Sequence, residues 1–310
     1  MVTILLFPGQ GAQKLGMAKD LAEGYPQAKE RLSEIDQALG APLTMVMWNG
    51  PEADLTLTYN AQPAILAHSC AVLAIIAPRL RGVVAAAGHS LGEYSAWVAS
   101  GALDAAGAAR LVRRRGELMF QAGQSRPGAM AAVLGLATTD VEVACAQAEI
   151  DSELTVVAAN LNAPDQTVIS GDPAAVARAG ELCQSAGAKR VIALNVSGAF
   201  HSPLMEPAAA GLRDALAHAP FGAAAFPVMA NATAELARTH EEAIASLGAQ
   251  LTAPVRWVES MRALHEMHPD AHWLEVGPGN VLTGLLKRIV PVAKCTALGT
   301  ATQVDAWMSA

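Results

Sequence analysis

Short apolar runs alternate with segments of helical periodicity from residue 3 to about residue 120 of this 310-residue chain. The runs TILLFPG and GVVAAAGHS are separated by a helical pattern from about Met17 and by a second helix, AILAHSCAVLAII, that we expect to start at Pro63. Such alternation is typical of a parallel sheet covered by helices. We therefore predict an α/β core with a central parallel sheet.

The pattern changes after Gly128, where the order of elements becomes β-α-β-β-α-β. This order is typical of ferredoxin-like units. We predict that residues 126–197 form a ferredoxin-like subdomain inserted into a core made of residues 1–125 and 198–310, which closes with a helix from Val281. The cleft between core and insert is then the expected ligand site.

The composition indicates a soluble globular protein. Hydrophobic residues make up 52% of the chain, yet no run of about eighteen apolar residues is free of polar breaks. The N-terminal MVTILLFPGQ has no basic region or cleavage site, and its Pro-Gly turn indicates a strand rather than a signal peptide. We therefore expect a cytoplasmic protein with no membrane partner.

Charge and cysteine spacing argue against two further classes of function. The formal net charge of -7 disfavours nucleic acid as the main partner, because phosphate binding needs a concentrated basic field. The cysteines lack metal-ligand or redox spacing, so we predict no metal site and interpret all four as reduced residues in helices or strands: Cys70, Cys145, Cys183 and Cys295.

Gly88-His89-Ser90-Leu91-Gly92 has the G-x-S-x-G pattern of a nucleophile elbow. It directly follows the apolar strand GVVAAA and directly precedes the helical run EYSAWVAS. Glycines permit a strained strand-to-helix turn there, and the helix N-terminus supplies hydrogen-bond donors and a positive potential. The pattern predicts that Ser90 is a nucleophile.

A serine nucleophile needs a base, and His201 is the best candidate among eight histidines. It precedes Ser202-Pro203, which resembles a helix N-cap followed by proline at the first helical position. A helix N-terminus disfavours imidazolium, which would keep His201 neutral. The alternative is a hydrogen-bonded turn histidine; core or surface roles suffice for the other seven.

Arg115 lies in the middle of the apolar stripe of a helix that follows Asp104. The stripe comprises Leu111, Val112, Leu118 and Met119. A buried guanidinium needs a partner, and its planar fork matches a carboxylate, which suits a substrate with a free acid end. The alternatives are an internal ion pair with a core carboxylate, or a stem that packs while its head reaches water.

The glycine turn FPGQGAQ after the first strand has backbone amides free to face a ligand. It is not a dinucleotide-binding fingerprint, because Lys14 stands where the third glycine belongs. The amides of Gln10 and Leu91 could together stabilise a tetrahedral oxyanion, a feature that can contribute roughly 10²–10³ in rate.

Eight motifs resemble, in order, the malonyl-CoA:acyl carrier protein transacylases of bacterial fatty-acid synthesis. The similarity extends from Phe7 to about Arg288, and polyketide acyltransferase domains share most of it. The motifs are FPGQGAQ, QPAI, GHSLGEYSA, RLVRRRG, NLNAPDQTVISG, GAFHSPLM, APVRW and LEVGPGNVLTGLLKR. The resemblance implies a hydrolase-like α/β core with a ferredoxin-like insert and a ping-pong malonyl transfer that needs no cofactor.

The resemblance also implies roles for individual residues, and it implies a Ser-His dyad with no carboxylate third member. Ser90 matches the nucleophile, His201 the base and Arg115 the residue that binds the malonyl carboxylate. The remaining matches are Gln10 and Leu91 as the oxyanion positions, Gln250 as the residue whose backbone carbonyl orients the histidine, Phe200 as a residue that favours malonyl over methylmalonyl groups, and Asn160 and Asn162 as an asparagine pair near the site.

The implied partners are malonyl-CoA and an acidic acyl carrier protein. Candidate carrier-docking residues are Lys189, Arg190, Lys287 and Arg288. Three other functions remain open at this point. They are a thioesterase or esterase with the same elbow, a free-standing malonyl acyltransferase of a polyketide assembly line, and a non-catalytic carrier-binding subunit.

Overall fold

The computed structural model describes residues 2–310. Its strands are β1 (Thr3–Phe7), β2 (Val83–Gly88), β3 (Ala129–Leu134), β4 (Val156–Ala163), β5 (Gln166–Gly171), β6 (Arg190–Ala193), β7 (Val228–Met229), β8 (Leu236–Ala237), β9 (His272–Val276) and β10 (Lys294–Leu298). Its helices are α1 (Lys19–Gly24), α2 (Pro26–Leu39), α3 (Leu43–Asn49), α4 (Glu52–Thr56), α5 (Thr58–Ile76), α6 (Gly92–Ala99), α7 (Ala105–Ser125), α8 (Thr138–Ser152), α9 (Pro173–Ser185), α10 (Glu206–Ala217), α11 (His240–Gln250), α12 (Trp257–Met267), α13 (Val281–Ile289) and α14 (Ala301–Ser309), with a 3-10 turn at Pro203–Met205.

The larger sheet has the strand order β10-β9-β1-β2-β7-β8. Its neighbouring strands are parallel except for β7 and β8. All five residues of β1 are buried, as expected for an inner strand covered on both faces, and this burial explains the unbroken apolar run TILLF. The predicted α/β core with a central parallel sheet is confirmed.

The smaller sheet is antiparallel, with the strand order β4-β5-β3-β6. Helices α8 and α9 pack together against it, and the three elements share an apolar cluster of their own that includes Val133, Val141 and Ile169. The core meets this sheet at β4, where the Leu161 N–H donates to the Val255 carbonyl oxygen at 2.9 Å. The two sheets therefore face each other across a cleft.

Helix α5 runs through the core. Within residues 2–310 it is the helix whose length and hydropathy would allow it to cross a membrane, but 78% of that segment is buried inside the protein. It begins at Thr58 rather than at Pro63, the start expected from the sequence. Proline inside a helix removes one hydrogen bond, and here the preceding turn is held because Asn60 and Ala61 both donate to the Leu57 carbonyl oxygen at 2.8 Å.

Several short elements were absent from the sequence prediction. The predicted closing helix, α13, is followed by β10 and α14, so the prediction that the chain ends there is wrong. Helix α2 was also omitted, although its buried Ala28, Leu32 and Ile35 have helical spacing. Strand β10 extends an edge of the sheet, α14 packs against β10 and α5, and α2 packs against α5 and α7; all three lie outside the eight motifs.

Candidate active site

Ser90 lies at the turn between β2 and α6 with a φ of 51°, a left-handed conformation that is uncommon outside glycine. Its N–H donates to Asn231 Oδ1 at 2.7 Å, which holds this backbone in place. The flanking glycines allow close approach: a methyl group on Gly88 would overlap the Gly92 backbone, and one on Gly92 would overlap the Phe7 carbonyl oxygen. The motif therefore forms a tight elbow that presents the Ser90 hydroxyl.

His201 lies next to Ser90, although 111 residues separate them in the chain. Its Nε2 is 2.8 Å from Ser90 Oγ, and its Nδ1 is 2.9 Å from the Gln250 backbone oxygen. A carbonyl oxygen only accepts hydrogen bonds, so Nδ1 carries the proton and the Nε2 lone pair faces the hydroxyl. An imidazole in this position can accept the serine proton.

Burial lowers the pKa of His201 to about 3, and the positive charge of Arg115 acts in the same direction. The sequence attributed the neutral form to a helix N-terminus. In the structure Ser202 caps a 3-10 turn, Pro203–Met205, that continues directly into α10, so the predicted cap and proline are present, but burial is the larger cause of the lowered pKa. Desolvation disfavours the charged imidazolium, and this is the main cause.

Arg115 projects from α7 into the site and is 1% exposed. Its Nη2 donates to Ser90 Oγ at 3.0 Å and to Gln250 Oε1 at 2.9 Å, and its Nη1 donates to Gln62 Oε1 at 2.8 Å. Among residues 2–310, no carboxylate lies within ion-pair distance of it. Both alternatives from the sequence are therefore wrong: the charged head is buried, and no core carboxylate pairs with it.

Three polar residues that the sequence analysis did not single out complete the surroundings of the elbow: Gln62, Glu93 and Asn231. Glu93 is fully buried, and burial raises its pKa to about 7. Its Oε2 accepts from the Asn231 N–H at 3.0 Å and from Gln250 Nε2 at 2.7 Å. The argument used for Arg115 could have found it, because Glu93 is a charged residue within the apolar helical run EYSAWVA.

A cleft of about 290 Å³ opens over Ser90 and His201. Its lining also includes Met130 and Asn160 from strands of the smaller sheet. Gln10 is at its edge, and Leu91 occupies the N-cap position of α6. In the described part of the chain, neither the Gln10 N–H nor the Leu91 N–H donates a hydrogen bond. The Ser90 N–H, by contrast, is already bonded to Asn231.

Of the other predicted residues, two line the cleft and one contacts a residue next to Ser90. Phe200 lines the cleft and is largely buried, and Asn160 also faces it. Asn162 instead bonds through Oδ1 to His89 Nε2 at 2.7 Å, and the His89 ring packs against Trp257. His89 Nε2 is therefore engaged by Asn162, while the residue also lines the cleft. No cluster of three or more His, Cys, Asp or Glu suited to a metal occurs between residues 2 and 310.

Comparisons with known proteins identify the family of this chain. Residues 4–305 match the acyl transferase domain family. The malonyl CoA-acyl carrier protein transacylase of Bacillus subtilis (strain 168) is 43% identical over 286 residues, which cover 92% of this chain and 89% of the relative. The chain belongs to the malonyl-CoA:acyl carrier protein transacylase family. The Escherichia coli (strain K12) transacylase is 41% identical over 94% of each chain.

Solved structures of this transacylase family share the whole fold. A malonyl-transacylase in complex with a type II PKS acyl-carrier protein has a TM-score of 0.95 at 38% identity, covering 100% of this chain and 99% of that one. The acyl carrier protein S-malonyltransferase of Vibrio cholerae has a TM-score of 0.94 at 40% identity, covering 99% and 100%. The central, mostly parallel sheet and the separate antiparallel sheet are common to the family.

Proposed function

We propose that this protein transfers the malonyl group of malonyl-CoA to the phosphopantetheine thiol of an acyl carrier protein through an ester on Ser90. One observation carries the choice of acyl group. The buried guanidinium of Arg115 lies 3.0 Å from Ser90 Oγ and has no carboxylate partner in the described chain. An acyl group that ends in a carboxylate supplies that partner as it reaches the serine.

In the first half-reaction, Ser90 Oγ gives its proton to His201 Nε2 and attacks the thioester carbonyl. The Gln10 and Leu91 N–H groups stabilise the oxyanion. The thiolate of coenzyme A then leaves and takes the proton from His201. The malonyl carboxylate on Arg115 offsets one of the charges that lower the pKa of His201, so the substrate makes its own base stronger.

In the second half-reaction, the pantetheine thiol gives its proton to His201 and attacks the Ser90 ester. Collapse of the intermediate forms the malonyl thioester and returns the proton to Ser90. Two substrates therefore use one site in turn, with no cofactor. The Gln250 carbonyl keeps His201 oriented in both steps, and Phe200 limits space for an α-methyl group.

The inserted unit spans residues 126–197 in this proposal, and residues 1–125 and 198–310 form the hydrolase-like core. Two features support a ferredoxin-like subdomain: the element order β3-α8-β4-β5-α9-β6 and the strand order β4-β5-β3-β6. Asn160 brings this subdomain to the cleft, whereas Asn162 acts through His89 as support. We place the protein in the cytoplasm, with malonyl-CoA and the carrier as partners.

A carrier protein of fatty-acid synthesis is the proposed acceptor. A carrier of a polyketide assembly line is the second candidate, because a similar solved structure holds a type II PKS acyl-carrier protein. Four exposed basic residues are proposed as docking groups: Lys189, Arg190, Lys287 and Arg288. Arg288 already pairs with Asp165. Transfer rates to the two types of carrier, compared in one assay, distinguish the pathways.

Intact-mass spectrometry after incubation with malonyl-CoA tests the proposed function. The wild-type protein is expected to gain the mass of one malonyl group, and the Ser90→Ala variant is expected to gain none. Added carrier protein should remove the adduct and become malonylated. An unmodified wild-type protein, or an adduct that survives Ser90→Ala, would contradict the covalent mechanism.

The pH profile of acylation provides a second test. An ordinary histidine base protonates as the pH falls through about 6.5, which lowers kcat/KM. Because the pKa of His201 is lowered to about 3, the imidazole stays neutral over this range. As the pH is lowered from about 8 to about 5, we therefore expect kcat/KM to show no decline with a midpoint near 6.5. Burial raises the pKa of Glu93, beside the elbow, to about 7, and Glu93→Gln removes this titration, so a decline that remains in this variant would contradict the lowered pKa of His201.

A further inference from the structure

We propose that Glu93 is a positioning residue that fixes the Gln250 amide and the Asn231 backbone, and through them Arg115, the elbow and the discrimination between carboxylated and neutral acyl groups. This inference rests on the proposed malonyl transfer. Glu93 touches no substrate-facing atom. Its Oε2 accepts two hydrogen bonds, from Gln250 Nε2 and from the Asn231 N–H, at 2.7 and 3.0 Å.

The orientation of the Gln250 amide follows from Glu93. An amide has a donor end and an acceptor end, whereas the accepting carboxylate oxygen requires a donor. Gln250 Nε2 must therefore face Glu93, and it also donates to the Ser90 carbonyl oxygen at 2.9 Å. The acceptor end, Oε1, then faces Arg115 Nη2 at 2.9 Å. A flipped amide would set donor against donor at Arg115 and acceptor against acceptor at Glu93.

The protonation state of Glu93 does not change this assignment. Oε2 is occupied by two donors, and Oε1 has no hydrogen-bond partner in the described residues. A proton on the carboxyl group would therefore reside on Oε1, and Oε2 would still accept. The geometry carries the inference whichever form is present.

Asn231 transmits the second contact of Glu93 to the elbow. Its Oδ1 accepts from the Ser90 N–H, and its Nδ2 donates to the Gly88 carbonyl oxygen at 2.7 Å. These two bonds hold the backbone on the N-terminal side of the left-handed Ser90 residue. The bond to Oδ1 also occupies the Ser90 N–H, so that in the proposed mechanism the Leu91 N–H, rather than the Ser90 N–H, faces the oxyanion. Glu93 fixes the backbone of the residue that makes both bonds.

The Gln250 amide also separates two charges that would otherwise neutralise each other. Glu93 and Arg115 lie on opposite ends of this amide rather than in an ion pair. A direct pair would fill the fork of the guanidinium and compete with a substrate carboxylate. With the amide between them, the negative charge of Glu93 stabilises buried Arg115 while the arginine remains available to the acyl group.

The test compares Glu93→Ala and Glu93→Gln by their kcat and KM for malonyl-CoA and acetyl-CoA. Loss of the acceptor frees the Gln250 amide, so Glu93→Ala should lower kcat/KM for malonyl-CoA by about 10²-fold, the cost of a small misplacement in a site. Acetyl-CoA has no carboxylate to bind Arg115. The factor by which its kcat/KM falls should therefore be at least about ten times smaller than the factor for malonyl-CoA. Glu93→Gln keeps an acceptor oxygen of the same reach and should recover most of the loss.

Glu275 provides the matched control. It is also fully buried and has no ion pair with residues 2–310, but its carboxylate accepts from the Leu282 and Thr283 N–H groups at the start of α13. Glu275→Gln and Glu275→Ala should lower thermal stability without changing the malonyl-to-acetyl ratio. If Glu93→Ala does not fold, Glu93→Gln is compared with Glu275→Gln by the ratio of kcat/KM for malonyl-CoA to kcat/KM for acetyl-CoA. We expect this ratio to fall by a few fold in Glu93→Gln.

Each outcome separates this inference from the proposed function. Equal losses for both substrates in the Glu93 variants, as displacement of the elbow alone would give, would overturn the proposed control of discrimination through Arg115. Unchanged kcat/KM for both substrates in folded Glu93→Gln and Glu93→Ala would overturn the positioning role altogether. Wild-type malonyl transfer stands in either case. Failure of the wild-type protein to accept malonyl groups would instead overturn the proposed function itself.

Discussion

Replacing Arg115 by alanine is expected to lower kcat/KM for malonyl-CoA by about 10²–10⁴-fold while leaving reaction with a neutral ester within about tenfold of wild type. Hydrogen bonds to charged groups contribute roughly 1.5–3 kcal/mol each, a carboxylate can accept two from the guanidinium, and about 1.4 kcal/mol corresponds to a tenfold change. A neutral acyl group makes neither bond. Steady-state rates with malonyl-CoA and with an acetyl ester measure the difference.

Arg114→Ala is the matched control for this prediction. Arg114 is the neighbouring residue on α7, half-exposed and 3.9 Å from Glu117, so its removal should change neither rate by more than about twofold. Arg115→Lys keeps the charge without the planar fork and should fall between alanine and wild type. A serine esterase would lose no ester activity in any of these variants and would not depend on Arg115 for its natural substrate. Equal losses with both substrates in Arg115→Ala would contradict carboxylate recognition.

Replacing His201 by alanine is expected to slow formation of the malonyl adduct by about 10³–10⁶-fold. His201 Nε2 is 2.8 Å from Ser90 Oγ and is the base that this hydroxyl faces. Without it, the serine proton has no acceptor of suitable pKa as the oxygen attacks. A time course of intact mass gives the rate of adduct formation.

Two controls identify the cause of that loss. His218→Ala removes an exposed histidine at the end of α10 and should have no effect on the rate. Added imidazole should restore part of the rate in His201→Ala, because the vacated space lies beside Ser90, but none in Ser90→Ala. Adduct formation by His201→Ala within about tenfold of the wild-type rate would show that another group accepts the proton.

Local patterns predicted the parts of the fold and site that depend on neighbouring residues. The elbow at Ser90 follows from glycines placed between an apolar strand and a helical run, and the inward position of Arg115 follows from its place in the stripe of α7. The start of α5 and the presence of β10 and α14 were mispredicted. In those segments the sequence preference is weak, and packing against the sheet decides the conformation.

The sequence by itself determined most of the elements, the candidate nucleophile and the inward-facing arginine, because periodicity and glycine placement act over a few residues. The tertiary structure alone decided which groups meet. Residues from four separate segments, Gln62, Arg115, Asn231 and Gln250, converge on the elbow and on its own Glu93, and no spacing in the chain encodes that. It also showed that Arg115 has no carboxylate partner among residues 2–310 and that burial is the largest cause of the lowered pKa of His201. Desolvation depends on everything packed around a group, so it can be read only from the folded chain.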